Sequence, residues 1–173
     1  MKTLREIQVE QHAWSLKNFG PHGPDDPLDG LIEEFGELHH AVLKRRQGIR
    51  GTAEEHDAAE RDALGDMVIY ALDLLSTVGC KANYVLTGES ESLPITMRRH
   101  MLDDLASIAM TVLTDGEDDR PLADALYAPV LWLLDRMAAY ASTRGWSLLE
   151  IVNETWEQVS KRDWSAAPKD GGA

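Results

Sequence analysis

The chain has 173 residues, enough for one domain with its own core, and 43% of them are hydrophobic, an ordinary globular balance. Thirty Asp and Glu against 17 Lys and Arg leave a formal net charge of −13, which argues against the basic face of a general nucleic-acid binder. The single cysteine, Cys80, excludes an intramolecular disulfide, and no apolar run reaches membrane-spanning length. The opening residues Met1 to Glu6 lack the apolar stretch of a signal peptide, so the expectation is a cytoplasmic protein with no membrane and no nucleic-acid partner.

Leu4 to Phe19 reads as a first helix, with Leu4, Ile7, Gln8, Gln11, Trp14 and Leu16 mixing apolar and amide groups. Trp14 and Phe19 have two readings: aromatic core packing, the commoner use of such residues, or a stacking surface for a base at the mouth of a bundle. Gly20 to Pro27 is a loop by composition, with three prolines and two glycines.

Pro27 to about Gln47 is the second helix. Pro27 or Leu28 suits its first turn and Asp25 or Asp26 its cap, while Leu31, Phe35, Leu38 and Val42, with Ile32 and Leu43 beside them, keep the helical period. Three glutamates sit in this apolar frame. Glu33 and Glu37 are four apart and Glu34 and Glu37 three apart, spacings that make helix side chains neighbours. Like charges so placed repel, and a purely structural helix gains nothing from them. A hard divalent cation such as Mg²⁺ takes oxygen ligands and reverses the sign of the interaction; a solvated acidic face is the alternative. Lys44, Arg45 and Arg46, with Arg50 after Gly48, complement the dipole at the helix C-terminus, or one of them neutralises a phosphate. Glu37 and His40 form one Glu-x-x-His pair, whereas a carboxylate-bridged di-iron bundle needs two.

After a polar connection, Ala53 to Gly79 reads as a long third helix with Gly79 as C-cap. Leu64, Met67, Val68, Ala71, Leu72, Leu75 and Val78 form its core face, and Asp62, Asp66, Tyr70 and Asp73 fall on a neighbouring stripe. Asp66 lies well inside this segment, where a cap does not belong, and an ionised carboxylate on a packed face is costly unless paired or metal-bound. Lys81 to Pro94 is a polar surface loop, and Ile95 to Leu113 a fourth helix built on Met101, Leu105, Ile108, Ala109 and Val112, with Arg98, Arg99 and His100 expected in solvent. Asp115 to Asp119 is an acidic turn with too few spaced ligands for an EF-hand. Pro121 to Thr143 is a fifth helix, expected to kink or break near Ala128 because of Pro129. Ser147 and Glu150 form a capping-box pattern that opens a last helix through Leu149, Val152, Trp156 and Val159 to Trp164. Residues 166–173 read as a disordered tail. The expectation is an all-α bundle of five to six helices in one domain over residues 1–165, with the second and third helices as antiparallel neighbours whose carboxylates converge.

Glu33-Glu34-x-x-Glu37 on one helix, then Gly65-Asp66 opening an apolar stretch on the next, resembles the MazG-like all-α nucleoside triphosphate pyrophosphohydrolases, whose pattern is E-E-x-x-E, a spacer and E-x-x-D. Trp14…Phe19 and the closing Lys161-Arg162-Asp163-Trp164 are similar to members of that superfamily, so the resemblance covers about Trp14 to Tyr70 and Asn153 to Trp164. It implies a four-helix core and hydrolysis of a nucleoside or deoxynucleoside triphosphate between its α- and β-phosphates, with Mg²⁺ as cofactor and Mn²⁺ as its alternative. It implies Glu34, Glu37, Asp66 and Asp62 as metal ligands, and Glu33 with Glu34 as the catalytic pair, Glu33 holding or deprotonating the attacking water. It points to Trp14, Lys44, Asn153, Lys161 and Arg162 for substrate contacts, and to a homodimer or homotetramer formed through the two later apolar helices. The chain departs from the pattern once: Ala63 stands where the family has its second-motif glutamate, and Asp62, one residue earlier, is the candidate substitute. A catalytically weak nucleotide- or metal-binding regulatory protein of the same fold is the alternative, and a helical interaction module with an acidic face a more distant one.

Overall fold

The computed structural model describes residues 1–85, 94–114 and 120–169. The expected acidic turn at 115–119, residues 86–93 of the polar loop and the tail from 170 onward lie outside the described residues. The described part is all-α, as expected: α1 (Leu4–Phe19), α2 (Asp25–Gln47), α3 (Ala53–Thr77), α4 (Pro94–Leu113), α5 (Leu122–Thr143) and α6 (Leu148–Val159), with no strand among the described residues. None of these helices is long and apolar enough to cross a membrane.

Local chemistry explains most boundaries. Thr3 and Glu6 close a capping box on α1, and Thr52 and Glu55 close another on α3, each satisfying two otherwise unpaired helix-start donors. At α6 only half the expected box forms: the Ser147 hydroxyl accepts from the Glu150 amide. α2 starts earlier than expected, at Asp25. Both aspartates sit in its first turn, Pro24 occupies the cap position, and no side chain caps it. Pro129 does not break the helix: α5 runs on through it, with Pro129 buried. α6 ends at Val159, so Trp164 lies beyond the helix, in turns that fold back over α1.

α3 is the central helix and packs on α1, α2, α5 and α6. Its most extensive contact is with α2, and the pair is antiparallel: Gly30 near the start of α2 meets Tyr70 late in α3, while Arg45 near the end of α2 pairs with Asp57 early in α3. Two glycines allow this closeness. A Cβ on Gly30 would lie 2.3 Å from the Tyr70 ring, and one on Gly65 1.9 Å from Thr155 Oγ1 of α6. α4 packs chiefly on α5, beside the α1–α2–α3–α6 group.

Buried polar groups brace the core. Glu60, 1% exposed, accepts from the Tyr140 hydroxyl at 2.6 Å and lies 3.1 Å from Arg45 Nε and 3.4 Å from Arg144 Nε, joining α2, α3 and the end of α5. Arg98, expected in solvent, is instead buried with its guanidinium over the Tyr140 ring; a long side chain of this kind buries its stem while its planar head stacks on an aromatic face. His22 donates from Nδ1 to the Gly20 carbonyl at 2.9 Å and from Nε2 to Asp73 at 3.1 Å, and Ser15 donates to the same Asp73 oxygen at 3.1 Å. This cluster ties the α1–α2 loop to α3.

Candidate functional site

Antiparallel packing of α2 on α3 brings Glu33, Glu34 and Glu37 to the same seam as Asp62 and Asp66. Glu33, Glu37 and Asp62 are exposed, and Glu34 and Asp66 are half-buried. Among the described residues none of the five has a cation within ion-pairing distance. Burial, then the charge of Asp66, then Glu37, Glu33 and Asp62 push the Glu34 carboxyl up to about 8. Burial and Asp62 push Asp66 up to about 6, against a partial pull downward from Arg162. Tyr70, packed beside them, is raised by its burial and then by Glu34 and Asp66. The seam is therefore a cluster of carboxylates with no paired counter-ion among the described residues.

Two cavities open onto this seam. The first, about 330 Å³, is lined by Trp14, Phe19, Trp164 and Tyr70 together with Glu34, Asp66 and Arg162. Trp14 meets Phe19 edge-on at 5.5 Å and Trp156 edge-on at 6.1 Å, and its indole N–H donates to the Arg162 carbonyl at 2.9 Å. Phe19 is 59% exposed, so of the two readings of this pair its ring is not core packing. The second cavity, about 560 Å³, runs toward the α2–α3 turn. Glu33, Glu37 and Asp62 line one end, and Lys44, Arg50 and His56 the other.

The structure gathers most of the residues singled out from the sequence and leaves two apart. Trp14 and Arg162 join Glu34 and Asp66 in the aromatic cavity, and Lys44 joins Glu33, Glu37 and Asp62 in the larger one. Asn153 is elsewhere: it accepts from the Lys2 amide at 2.7 Å and donates to the Lys2 and Leu149 carbonyls, which fastens the chain start to α6. Lys161 is exposed, 3.5 Å from Glu157 one turn earlier, as a solvated surface charge would be. Arg50, one of the basic residues the sequence offered for a phosphate, lines the larger cavity with His56, which the sequence did not single out, and Gln11 and Asp73 line the smaller.

Ala63 is 1% exposed and belongs to the core. The exposed neighbour that reaches the seam is Asp62. A glutamate at 63 would start from a buried Cβ, so in this chain the i−4 position, not i−3, accompanies Asp66.

By donor type the seam suits a hard divalent cation: five carboxylates, with none in an ion pair among the described residues. As the side chains stand, no group of three or more His, Cys, Asp or Glu among the described residues is assembled into a metal-holding cluster.

Fold and seam together define an all-α bundle with a carboxylate-lined groove between two antiparallel helices. Comparison with protein-family models, with curated proteins and with solved structures finds no match to this chain.

Proposed function

We propose that this chain is a divalent-cation-dependent nucleoside triphosphate pyrophosphohydrolase of the MazG-like kind. The observation that carries the reading is the unpaired carboxylate seam lying between an aromatic cavity and a partly cationic one. A nucleotide has matching parts: a flat base, and a polyphosphate that an acidic protein repels unless charge is neutralised.

In this reading Glu34, Glu37, Asp62 and Asp66 hold the ion, and Glu33 orients the attacking water and takes its proton. A bound Mg²⁺, with Mn²⁺ as its alternative, supplies charge neutralisation of the phosphates and a lowered pKa for a bound water. The water oxygen forms a bond to the α-phosphorus. The bond from that phosphorus to the α–β bridging oxygen breaks, and its electron pair leaves with pyrophosphate. Trp14 and Phe19 offer ring edges and faces to the base, and Arg162 faces the phosphates from the aromatic side. The proposed assembly is a homo-oligomer, which the outward apolar stripe of α4 supports: Ile95, Leu102, Met110 and Leu113 are exposed along one side of it.

Ala63 in the core is the observation that favours the second reading, a protein that binds nucleotide or metal without turnover. One experiment separates the two. Pyrophosphate release is measured from a panel of ribo- and deoxyribonucleoside triphosphates with Mg²⁺, with EDTA, and with the Glu34→Gln protein. Release that requires Mg²⁺ and disappears in the variant is the expected result. Metal-dependent nucleotide binding without release from any triphosphate replaces the hydrolase with the binding protein.

A further inference from the structure

The cavity at the α2–α3 turn has more cationic lining than the proposed chemistry has used. Lys44, from the last turn of α2, donates to Gln47 at 3.2 Å and makes no ion pair among the described residues. Arg50, from the turn itself, likewise has no acidic partner among the described residues. In a chain with 30 acidic and 17 basic residues, two such cations on one cavity wall are an unusual expenditure. Glu55, which also lines the cavity, accepts from the Thr52 amide at 2.7 Å and caps α3. Glu33, Glu37 and Asp62 lie at the opposite end.

Two further observations are independent of this charge pattern. His56 is 6% exposed and lines the cavity, and its Nε2 is buried with no hydrogen-bond partner. A buried polar group left unpaired costs free energy comparable to a lost hydrogen bond. Arg50 also holds φ at +61°, the one non-glycine residue in the left-handed region among the described residues. Glycine takes this conformation freely; arginine does not. The turn could have been made more easily with another residue, and the strained choice puts a guanidinium at the cavity mouth.

The position along the seam decides what such a site would hold. From Asp62 to His56 is six residues of helix, about 9 Å of axial rise, and from Glu37 to Lys44 seven residues, about 10 Å. Long Lys and Arg side chains reach back across part of that distance. The cations thus stand past the carboxylates on the side away from the aromatic cavity. A guanidinium matches phosphate oxygens bidentately, and an ammonium adds a mobile point charge.

We propose that this cavity is an anion subsite, built from Lys44, Arg50 and His56, that takes the β,γ-diphosphate of the substrate and retains it as the pyrophosphate product. The inference rests on the hydrolase reading for its ligand, and its test does not require turnover. Calorimetric titration of Mg²⁺-pyrophosphate into the full chain is compared between the parent, Arg50→Gly and Lys44→Gln, with a nucleoside monophosphate as the second titrant. Glycine suits the backbone at position 50, so Arg50→Gly keeps the thermal midpoint of the parent. Each variant is expected to weaken pyrophosphate binding about tenfold, the usual worth of a charge-assisted hydrogen bond, and to leave monophosphate binding unchanged. Pyrophosphate affinity unmoved in both variants, or lost equally with monophosphate affinity, overturns the subsite even if triphosphate hydrolysis has been demonstrated. The converse outcome, weakened pyrophosphate binding in a chain that hydrolyses no triphosphate, keeps the anion subsite and removes the hydrolase.

Discussion

At Glu34, burial and the carboxylates of Asp66, Glu37, Glu33 and Asp62 push the side chain up to about 8, so near neutral pH the folded chain holds a proton there that the unfolded chain has released. Stability is lost by this group as pH rises from its ordinary range toward 8. Glu34→Gln removes the conflict. After allowance for the solvent that reaches this half-buried group, the gain is on the order of 1 kcal/mol, or roughly 2–4 °C in thermal midpoint for a chain of this size. Under the proposed function the same variant is expected to lose Mg²⁺-dependent pyrophosphate release. A variant that is more stable and inactive, checked by thermal denaturation beside the activity assay, is what a binding residue held against its own repulsion predicts. His22 gives a pH effect of the other sort. Its burial pulls the imidazolium down, but the Gly20 carbonyl and the Asp73 carboxylate that accept from it, with Asp26 nearby, outweigh burial and raise it. A histidine raised on folding contributes stability that is full below its unfolded range and lost as pH rises through the folded one. His22→Gln is therefore expected to lower the thermal midpoint most below about pH 6.5 and least in alkaline buffer. A deficit independent of pH would remove the charged contact from the account of this loop.

Among the elements, α3 bears the greatest demand, because one helix must pack against α1, α2, α5 and α6 and still present Asp62 and Asp66 to the seam. Gly65, the residue just before Asp66, lets α6 approach so closely that a methyl group would collide with the β-branched Thr155. Gly65→Ala is expected to destabilise the chain by about 1–3 kcal/mol through overpacking, despite alanine's better helix propensity. Urea denaturation measures it, and Thr155→Ala in the same chain should recover part of the loss. If Gly65→Ala instead stabilises, helix propensity dominates and the close approach of α3 and α6 is not what that glycine serves. Gly30 does the same for α2 against Tyr70, so the two glycines set the spacing on both sides of the carboxylates.

For the whole molecule, a net charge of −13 opposes self-association at low salt, yet α4 carries an outward stripe of Ile95, Leu102, Met110 and Leu113, with Trp132 exposed on α5. Apolar surface of this kind is usually covered in an assembly. Light scattering coupled to size exclusion is expected to find an oligomer that Leu102→Glu with Met110→Glu reduces to monomers without loss of helical signal. A monomeric parent chain at assay concentration would remove the proposed oligomer.

Much of this fold is written in local chemistry. The apolar positions Leu31, Phe35, Leu38 and Val42 on α2 and Leu64, Met67, Val68, Leu72 and Leu75 on α3 recur at helical spacing and are buried, since the period of hydrophobic burial is a property of a few neighbouring residues. Glu33, Glu34, Glu37 and Asp66 stood out for the same reason: like charges one turn apart, or a charge inside an apolar run, are anomalies visible in a short window. Side-chain partners far away in the chain had no such signature. Asn153 looks like any helix-surface amide until the fold brings Lys2, 151 residues away, to meet it. Glu60 is one more acid until Arg45, Arg144 and Tyr140 close around it, and Ala63 is seen to belong to the core only when α3 has packed. The sequence by itself determined the helices, their amphipathic faces and the excess of carboxylates, because these follow from spacing. The tertiary structure alone decided that the seam lies between an aromatic cavity and a cationic one, because a cavity is formed by residues that no spacing rule connects.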